Sequence, residues 1–451
     1  MRSALLSALL LATIVGCGIV SESMYQSVEA RVWNHQYGQA LAALNKEKEN
    51  YGDLNSVLYD LEYGLIGHYA NRYEVSNNAL LAAERRMREL YTKSITKEVG
   101  SYLINDNVLP YEGEIFEKVY VNLFLALNFA EMGKMEDALV EARKVDVKLR
   151  EYSRDYEGKN SFKDDAFVRY VMGALYEAAG EINDAHIAYQ NALSIYQTSY
   201  RQSFSVGPPS TLLSDLVRTS TLLGFDDDRK RFEQMSGTTY RPAAENEGHL
   251  FLVIYSGKGP VKEEYSIRVS IPDTAGIIHT FKIALPKFVK RQRSPRSYRV
   301  DLTGQGQTYT GSVETGENIT AIAETTLKER IDLVYLKSGG RAVLKFLAAE
   351  EIKKKLKKDE TKEKDEDKKK NTKAWNAFFS SLTDVVYDAS ERADIRSWRT
   401  LPDRIMIARV TVPEGPYLCR LVSLNGQQVA ATDSVFVRHG QTIFRTVVDV
   451  D

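Results

Sequence analysis

The feature that most constrains the fold of this chain is a regular spacing of small and aromatic residues in its first half. Residues 169–196, RYVMGALYEAAGEINDAHIAYQNALSIY, show this spacing most clearly. Small side chains let two antiparallel helices approach closely, aromatic side chains fill the gap between them, and a glycine ends the first helix. The residues in these positions are Gly173, Tyr176, Gly180, Ala185, Tyr189 and Ala192. The stretch therefore predicts a helical hairpin.

Further copies of this pattern lie on both sides of the hairpin. VNLFLALNFAEMGKMEDALVEARKV is a second clear copy, and GLIGHYANRYEVSNNALLAAERRM is a looser one. HQYGQALAALNKE matches half a copy, and TLLGFDDDRKRFEQM can close the series at its far end. Pro110 is the only proline between residues 25 and 200, so helices can run there without interruption. We therefore expect a helical repeat array over residues 17–235.

The hairpins resemble tetratricopeptide repeats (TPRs), although the equivalent residues Ala138 and Ala185 lie 47 positions apart, where a regular TPR repeats after about 34. The resemblance implies a groove, lined by the first helix of each hairpin, that holds a peptide or a partner helix. The residues at these lining positions are Leu123, Leu127, Tyr170 and Ala174. Their apolar and aromatic character does not suit capture of a C-terminal carboxylate. They either bind an apolar protein partner or only pack against neighbouring helices.

A linker at residues 236–247 separates the repeats from a second half with the pattern of β-strands. Asn425-Gly426 predicts a tight hairpin turn between two of these strands. The runs are HLFLVIYSG, EYSIRVSIP, IIHTFKIALP, SYRVDLTG, QTYTGSVET, RIMIARVTVP, PYLCRLVSL, QQVAATDSVFVR and QTIFRTVVDV. The fold class we expect is α+β: a TPR-like helical array followed by an antiparallel β-sandwich-like domain.

Helical patterns interrupt the strands, which divides the β domain into residues 248–318 and 401–451, with a helical insertion at 319–400. Within the insertion, residues 353–373 are almost entirely charged, with both signs mixed. Such a run cannot bury a core, so it predicts a solvated, disordered loop. The alternative is that the run contacts anionic lipid or peptidoglycan.

The first 16 residues indicate a signal peptide: Arg2 is followed by an apolar run too short to cross a bilayer as a helix. Ile14-Val15-Gly16-Cys17 resembles a bacterial lipobox, which implies that Cys17 is lipidated after cleavage. Gly18 follows the cysteine where inner-membrane lipoproteins often carry Asp, which favours the outer membrane with the body in the periplasm. The alternative is an ordinary secretory signal in which Cys17 has no role.

Most of the remaining chain resembles a family of bacterial TPR-containing lipoproteins that carries no assigned activity. The stretches that match are LPYEGEIFEKVYVNLFLALNF, DALVEARK, SGKGPVKEEYSIRVSI, KIALPKF and ERADIRSWRTLPDRIMIAR. The resemblance implies the architecture and a membrane anchor, and it supplies neither catalytic residues nor a mechanism.

Chemical motifs are scarce. The six histidines are scattered without metal-ligand spacing, so we predict no metal site and no cofactor. The net charge of −1 gives no basis for nucleic-acid binding. Glu112, Glu114 and Glu117 begin a predicted helix, where carboxylates either perform acid–base chemistry or, more commonly, complement the helix N-terminus.

A polar and aromatic cluster lies in ERADIRSWRTLPDR, just before the returning strands. Asp394, Arg396, Trp398 and Arg399 form either a recognition site or a clasp that fixes a helix to the sheet.

Together these features predict a lipid-anchored periplasmic scaffold without catalytic activity, which binds a protein partner in cell-envelope assembly or maintenance. Two other functions stay open: a cell-wall or glycan-acting envelope enzyme that uses the three glutamates, and a structural subunit of an outer-membrane export complex. The sequence does not fix the oligomeric state.

Overall fold

A computed structural model describes residues 22–95, 107, 109–155, 164–242, 244, 246–272, 278–291, 297–331, 334, 392–423 and 428–449. The predicted signal peptide and Cys17, the charged run at 353–373 and the Asn425-Gly426 turn lie outside these residues.

Helices occupy the described chain up to residue 236, and consecutive helices pair as antiparallel hairpins. A π-helical turn at Tyr196–Tyr200 joins two of them, and a 3₁₀ turn at Asp53–Asn55 joins two others. The helices are α1 Glu22–Trp33, α2 Tyr37–Lys46, α3 Lys48–Tyr51, α4 Ser56–Tyr69, α5 Tyr73–Ile95, α6 Ile115–Glu131, α7 Met135–Asp155, α8 Ala166–Ala178, α9 Ile182–Ile195, α10 Arg201–Phe204, α11 Ser210–Leu222 and α12 Asp226–Ser236.

The hairpin α8/α9 is built as the repeat pattern predicts. Gly180 adopts a φ of +82°, and the next residue, Glu181, donates its N–H to the carbonyl of Tyr176, which closes the end of α8. Inside the hairpin, a Cβ on Gly173 would lie 2.5 Å from the Tyr189 ring, so only glycine allows this approach. The predicted helical repeat is therefore confirmed as a series of packed hairpins.

Within the described part of the chain, ten strands form two four-stranded sheets and a separate two-stranded ribbon, β2–β3. The inner sheet has the order β10-β1-β7-β6, and the outer sheet has the order β5-β4-β8-β9. The strands are β1 Glu247–Lys258, β2 Val261–Pro272, β3 Ile278–Val289, β4 Tyr298–Gly304, β5 Gln307–Ser312, β6 Glu314–Asn318, β7 Pro402–Pro413, β8 Gly415–Ser423, β9 Gln428–Val437 and β10 Thr442–Asp449.

The strand arrangement differs from the sequence prediction in two respects. The run QTYTGSVET is two strands, because the chain leaves the outer sheet after β5 and enters the inner sheet as β6. In addition, β10 pairs with β1 in parallel, in register from His249↔Thr442 to Ser256↔Asp449, so the sheet is mixed and not antiparallel throughout. Alternation of apolar residues marks the faces of a strand but not its direction, so this pairing could not be predicted from the sequence pattern.

The inner sheet is buried on both faces, which makes helices and strands one packed body. Leu250, Leu252 and Ile254 of β1 pack in a core shared with the outer sheet. The alternate residues Phe251 and Tyr255 belong to the core of the helical array. After β6, a helix over residues 319–331 also contributes to the core of the helical array. The α+β class is confirmed.

Candidate functional site

The four residues expected to line an open groove lie in the protein interior. Leu123 and Leu127 on α6, and Tyr170 and Ala174 on α8, are all completely buried. The face of the inner sheet covers this side of the array: the Tyr170 ring lies 5.7 Å from the ring of Phe251 on β1. The groove is therefore occupied by the chain's own β-strands, and these four side chains have no surface to offer a partner in this conformation.

The segment 392–401, which we call the strap, lies across the helices and leads into β7. At its centre, the buried Trp398 indole lies 5.6 Å from the ring of Phe124 on α6. The Tyr69 hydroxyl of α4 donates to the carbonyl of Thr400 at 3.0 Å. The strap thus joins the helical array to the inner sheet through both apolar and polar contacts.

Arg396 and Asp394 fix the first part of the strap. Two hydrogen bonds join the Arg396 guanidinium to the Asp394 carboxylate, at 2.9 and 2.7 Å. The same guanidinium donates to the carbonyl of Leu109 at 3.0 Å and lies 5.3 Å from the centre of the Tyr111 ring. These contacts link the strap to the segment just before α6.

Arg399 connects the strap to the first described helix. Its guanidinium donates to Glu29 on α1 at 2.7 Å and to both carboxylate oxygens of Glu22 at 2.7 and 2.9 Å. Its backbone N–H donates to the buried Glu62 carboxylate on α4 at 2.8 Å. Burial raises the pKa of Glu62 to about 7, even though hydrogen bonds from Thr400 and Arg399 act in the opposite direction. The structure thus brings all four predicted cluster residues into one interface.

The three glutamates before and within α6 have structural partners. Glu117 is 1% exposed and accepts hydrogen bonds from the Tyr111 hydroxyl at 2.6 Å and from the backbone N–H groups of Glu114 and Trp398. Burial and the nearby Glu114 charge raise its pKa. Glu114 itself forms ion pairs with Lys262 and Arg330, which outweigh burial and lower its pKa to about 2. Glu112 lies 3.9 Å from Lys118.

A second buried ionic group fixes the inner sheet to the end of the array. Arg409 on β7 lies 3.0 Å from Glu177 on α8 and 3.1 Å from Asp215 on α11. Arg218 on α11 pairs with the same two carboxylates at 2.6 Å each. Burial acts to raise the pKa of Glu177, but the two guanidinium groups lower it strongly. Two positive and two negative charges balance here, which a buried ionic group needs.

A buried pair of carboxyl groups was not found from the sequence. Asp165 caps α8 by accepting the Val168 N–H at 2.8 Å, and Glu317 on β6 accepts the Tyr200 hydroxyl at 3.0 Å. Both side chains are completely buried, and burial raises both pKa values, that of Asp165 to about 6, while the neighbouring Asp165 raises the pKa of Glu317 further. The two carboxyl groups are hydrogen-bonded to each other, so they stay neutral or share a proton. Only the position of an acid before a helix hinted at Asp165, and nothing in the sequence marked Glu317.

The described residues contain no group of three or more His, Cys, Asp or Glu side chains able to hold a metal ion. None of the described helices is long and apolar enough to cross a membrane.

Exposed apolar side chains concentrate on the outside of the array. Of the eight large ones that the described residues carry, six lie on α7, on α9 and in the last hairpin. We call these six the outer helical surface: Val140, Val147, Ile187, Leu222, Phe225 and Met235. The Arg143–Glu181 ion pair joins α7 to the start of α9, and the His186 and Phe225 rings, 5.7 Å apart, join α9 to the last hairpin. These contacts place the three elements side by side.

A cleft of about 540 Å³ lies at the opposite end of the array, between α1 and α2. Met24, Val28 and Ala43 form its apolar part, and Arg31 and Lys46 are its basic residues.

No family model matches the chain, and no curated protein matches its sequence. Among solved structures, the apo form of RapI is 14% identical, with a TM-score of 0.35, over 47% of this chain and 51% of that one. BtubC from P. vanneervenii is also 14% identical, with a TM-score of 0.34, over 49% of this chain and 84% of that one. The Rap conjugation gene regulator of plasmid pLS20, in complex with the Phr* peptide, is 12% identical, with a TM-score of 0.29, over 46% and 50%. This chain thus spans about half the length of the RapI chain.

Proposed function

We propose that this protein is a non-catalytic scaffold, anchored in the outer membrane by a lipid on Cys17, that binds a protein partner in the periplasm during envelope assembly or maintenance. The outer helical surface is the binding site in this proposal. It replaces the concave groove, which the inner sheet fills.

The observation that carries the proposal is the concentration of exposed apolar side chains on neighbouring helices. Val140 and Val147 lie seven residues apart on α7, hence on one helix face, and are 48% and 47% exposed. Ile187 on α9 is 49% exposed, and Leu222 in the last hairpin is 57% exposed. Single exposed apolar residues are common, but a group on adjacent elements is typical of surfaces that bind other proteins.

The interior of the protein suits a scaffold. The strap, the Arg409 ionic group and the inner sheet fix the helical array to the β-strands, so the outer helical surface belongs to a rigid body. A preformed surface loses little conformational entropy when a partner binds. The one set of carboxylates that the sequence offered for catalysis is engaged in ion pairs and backbone hydrogen bonds, which favours the scaffold over the enzyme.

The test is crosslinking in native envelopes followed by mass spectrometry, comparing the wild type with Val147→Asp and Ile187→Asp. We expect one protein to crosslink to α7 or α9 in the wild type and to be lost from both variants, because a carboxylate cannot be buried in an apolar interface without cost. Phe436→Asp is the matched control, since it makes the same change at a 51% exposed side chain on β9. Equal capture by all four proteins would overturn the proposal.

The anchor has its own test. The mass of the protein purified from membranes is expected to show acyl chains on Cys17, and Cys17→Ala is expected to leave the signal peptide uncleaved. If the mature protein carried no acyl group, the proposed anchor would be ruled out. The proposed role of the outer helical surface in partner binding would still stand.

A further inference from the structure

We propose that the cleft between α1 and α2 binds the headgroup of an anionic phospholipid in the membrane that carries the anchor. This inference rests on the proposed lipidation of Cys17 for its geometry, and it assigns a second membrane contact to the described residues.

The short connection between Cys17 and α1 places the cleft near the membrane. Glu22, the first residue of α1, lies five positions after Cys17. A chain of that length spans at most about 18 Å. The cleft begins at Ser23 and Met24, in the first turn of the same helix. A lipid on Cys17 therefore holds this end of the array at the bilayer interface, whatever path the connecting residues follow.

The acidic and the basic residues of α1 lie on different sides of the helix. The acidic residues Glu22 and Glu29 face the strap, where Arg399 binds both of them. Arg31 instead lines the cleft, where its guanidinium donates to the carbonyl and the hydroxyl of Ser27 at 2.5 and 2.6 Å. On the opposite wall, Lys46 from α2 adds a second positive charge. The acidic residue of the cleft, Glu47, accepts a hydrogen bond from Asn50 at 2.5 Å.

The remaining walls suit an amphiphilic ligand. Ser23, Ser27 and Gln39 supply hydroxyl and amide groups beside the basic residues, while Met24, Val28 and Ala43 supply an apolar wall. A volume of about 540 Å³ lies within the usual range of small-molecule sites, about 300–1,000 Å³. Guanidinium and ammonium groups are the usual ligands of phosphate oxygens. Basic groups over an apolar wall match a phosphodiester headgroup with the start of its acyl chains.

The experiment measures cosedimentation of the chain from Gly18 to Asp451, which keeps every described residue and lacks the anchor. Vesicles contain either phosphatidylglycerol with phosphatidylcholine or phosphatidylcholine alone. We expect binding to the anionic vesicles only. Each basic residue at such a surface contributes about five-fold to binding, so Arg31→Gln with Lys46→Gln is expected to weaken binding about 25-fold.

Two further variants separate the cleft from general electrostatics. Lys134→Gln with Arg201→Gln removes the same charge from exposed positions elsewhere on the array and is expected to bind like the wild type. Ala42→Trp fills the cleft without changing charge and is expected to weaken binding, while its melting temperature reports whether the fold is intact. No binding to anionic vesicles, or equal loss in the cleft and control charge variants, would overturn the proposal. If soluble glycerol phosphate displaced the protein from the anionic vesicles, the cleft would be a site for a free phosphate ester. That result would overturn the headgroup assignment.

The result of the vesicle-binding experiment can be distinguished from the result of the anchor test. Absence of acyl groups on Cys17 leaves vesicle binding by the cleft measurable, whereas loss of vesicle binding leaves the mass of the lipidated protein unchanged.

Discussion

The carboxylate of Glu117 on α6 accepts the backbone N–H of Trp398 at 2.8 Å, although the two residues lie 281 positions apart in the chain. Because the other Glu117 oxygen accepts from Tyr111 and from the Glu114 backbone, this buried side chain joins the helical array to the strap with both carboxylate oxygens hydrogen-bonded.

The first prediction concerns this contact. Glu117→Gln places an amide N–H₂ against at least one backbone N–H donor, which leaves a buried polar group without a partner. We expect a loss of about 1–3 kcal/mol in the free energy of unfolding, measured by urea denaturation. Glu112→Gln, at a more exposed carboxylate just before the same helix, is the control and is expected to change stability by less than about 0.5 kcal/mol. A stable Glu117→Gln protein would instead indicate that the carboxylate serves another purpose.

The second prediction concerns Arg399. Arg399→Lys keeps the charge but cannot donate to Glu22 and Glu29 in the forked geometry of a guanidinium. We expect amide hydrogen exchange across α1 to accelerate at least ten-fold, while α6 and α8 keep their protection. Arg299→Lys, which alters an exposed pair with Asp301 on the outer sheet, is expected to leave α1 unchanged. Unaltered exchange in the Arg399 variant would show that α1 is fixed by apolar packing alone.

The third prediction concerns the carboxyl pair of Asp165 and Glu317. Their pKa values are raised by folding, so the folded state retains protons that the unfolded chain releases. The stability they contribute is fully present below the pKa of an unfolded carboxyl, and it is lost as the pH rises through about 6, the folded pKa of Asp165, and beyond.

Glu317→Gln removes one of the two carboxyl groups, so only Asp165 still titrates at this site. The variant is therefore expected to gain stability relative to the wild type between pH 5 and pH 8, by on the order of 1–3 kcal/mol, in urea titrations at both values. Glu324→Gln, on the helix that follows β6, is the control. A difference between variant and wild type that does not change with pH would contradict the shared proton.

The fourth prediction tests the packing of the repeat. Gly173→Ala places a methyl group 2.5 Å from the Tyr189 ring, and the completely buried ring has little room to move. We expect a loss of about 1–3 kcal/mol in the free energy of unfolding. Gly207→Ala, where a Cβ would meet nothing within 4 Å, is expected to be neutral or slightly stabilising. Equal stability of both variants would mean that α8 and α9 are not packed as described.

The repeats could be predicted from the sequence because their signal is local. Gly173, Gly180 and Ala185 each act within one hairpin, and their spacing reports the helix period directly. The strands of the second half were also found from their alternation, with QTYTGSVET divided between two sheets as the exception.

The burial of the groove could not be predicted in the same way. An open binding groove and a buried interior both require apolar faces on α6 and α8, so the sequence pattern is the same in the two cases. Only the tertiary structure shows that β1 covers these faces. The same holds for the parallel pairing of β10 and for Glu317, whose neighbours come from distant parts of the chain. Local patterns specify elements and faces, whereas contacts between distant segments decide which faces remain accessible.

The position of β10 has a consequence for how the protein is made. Thr446 on this strand donates its N–H to Glu131 on α6 at 2.6 Å, across 315 positions of sequence. A ribosome releases the helices first, so their apolar inner faces stay uncovered until the strands of the inner sheet have been synthesised. A protein shortened before β10 is therefore expected to aggregate during synthesis even though every helix is intact.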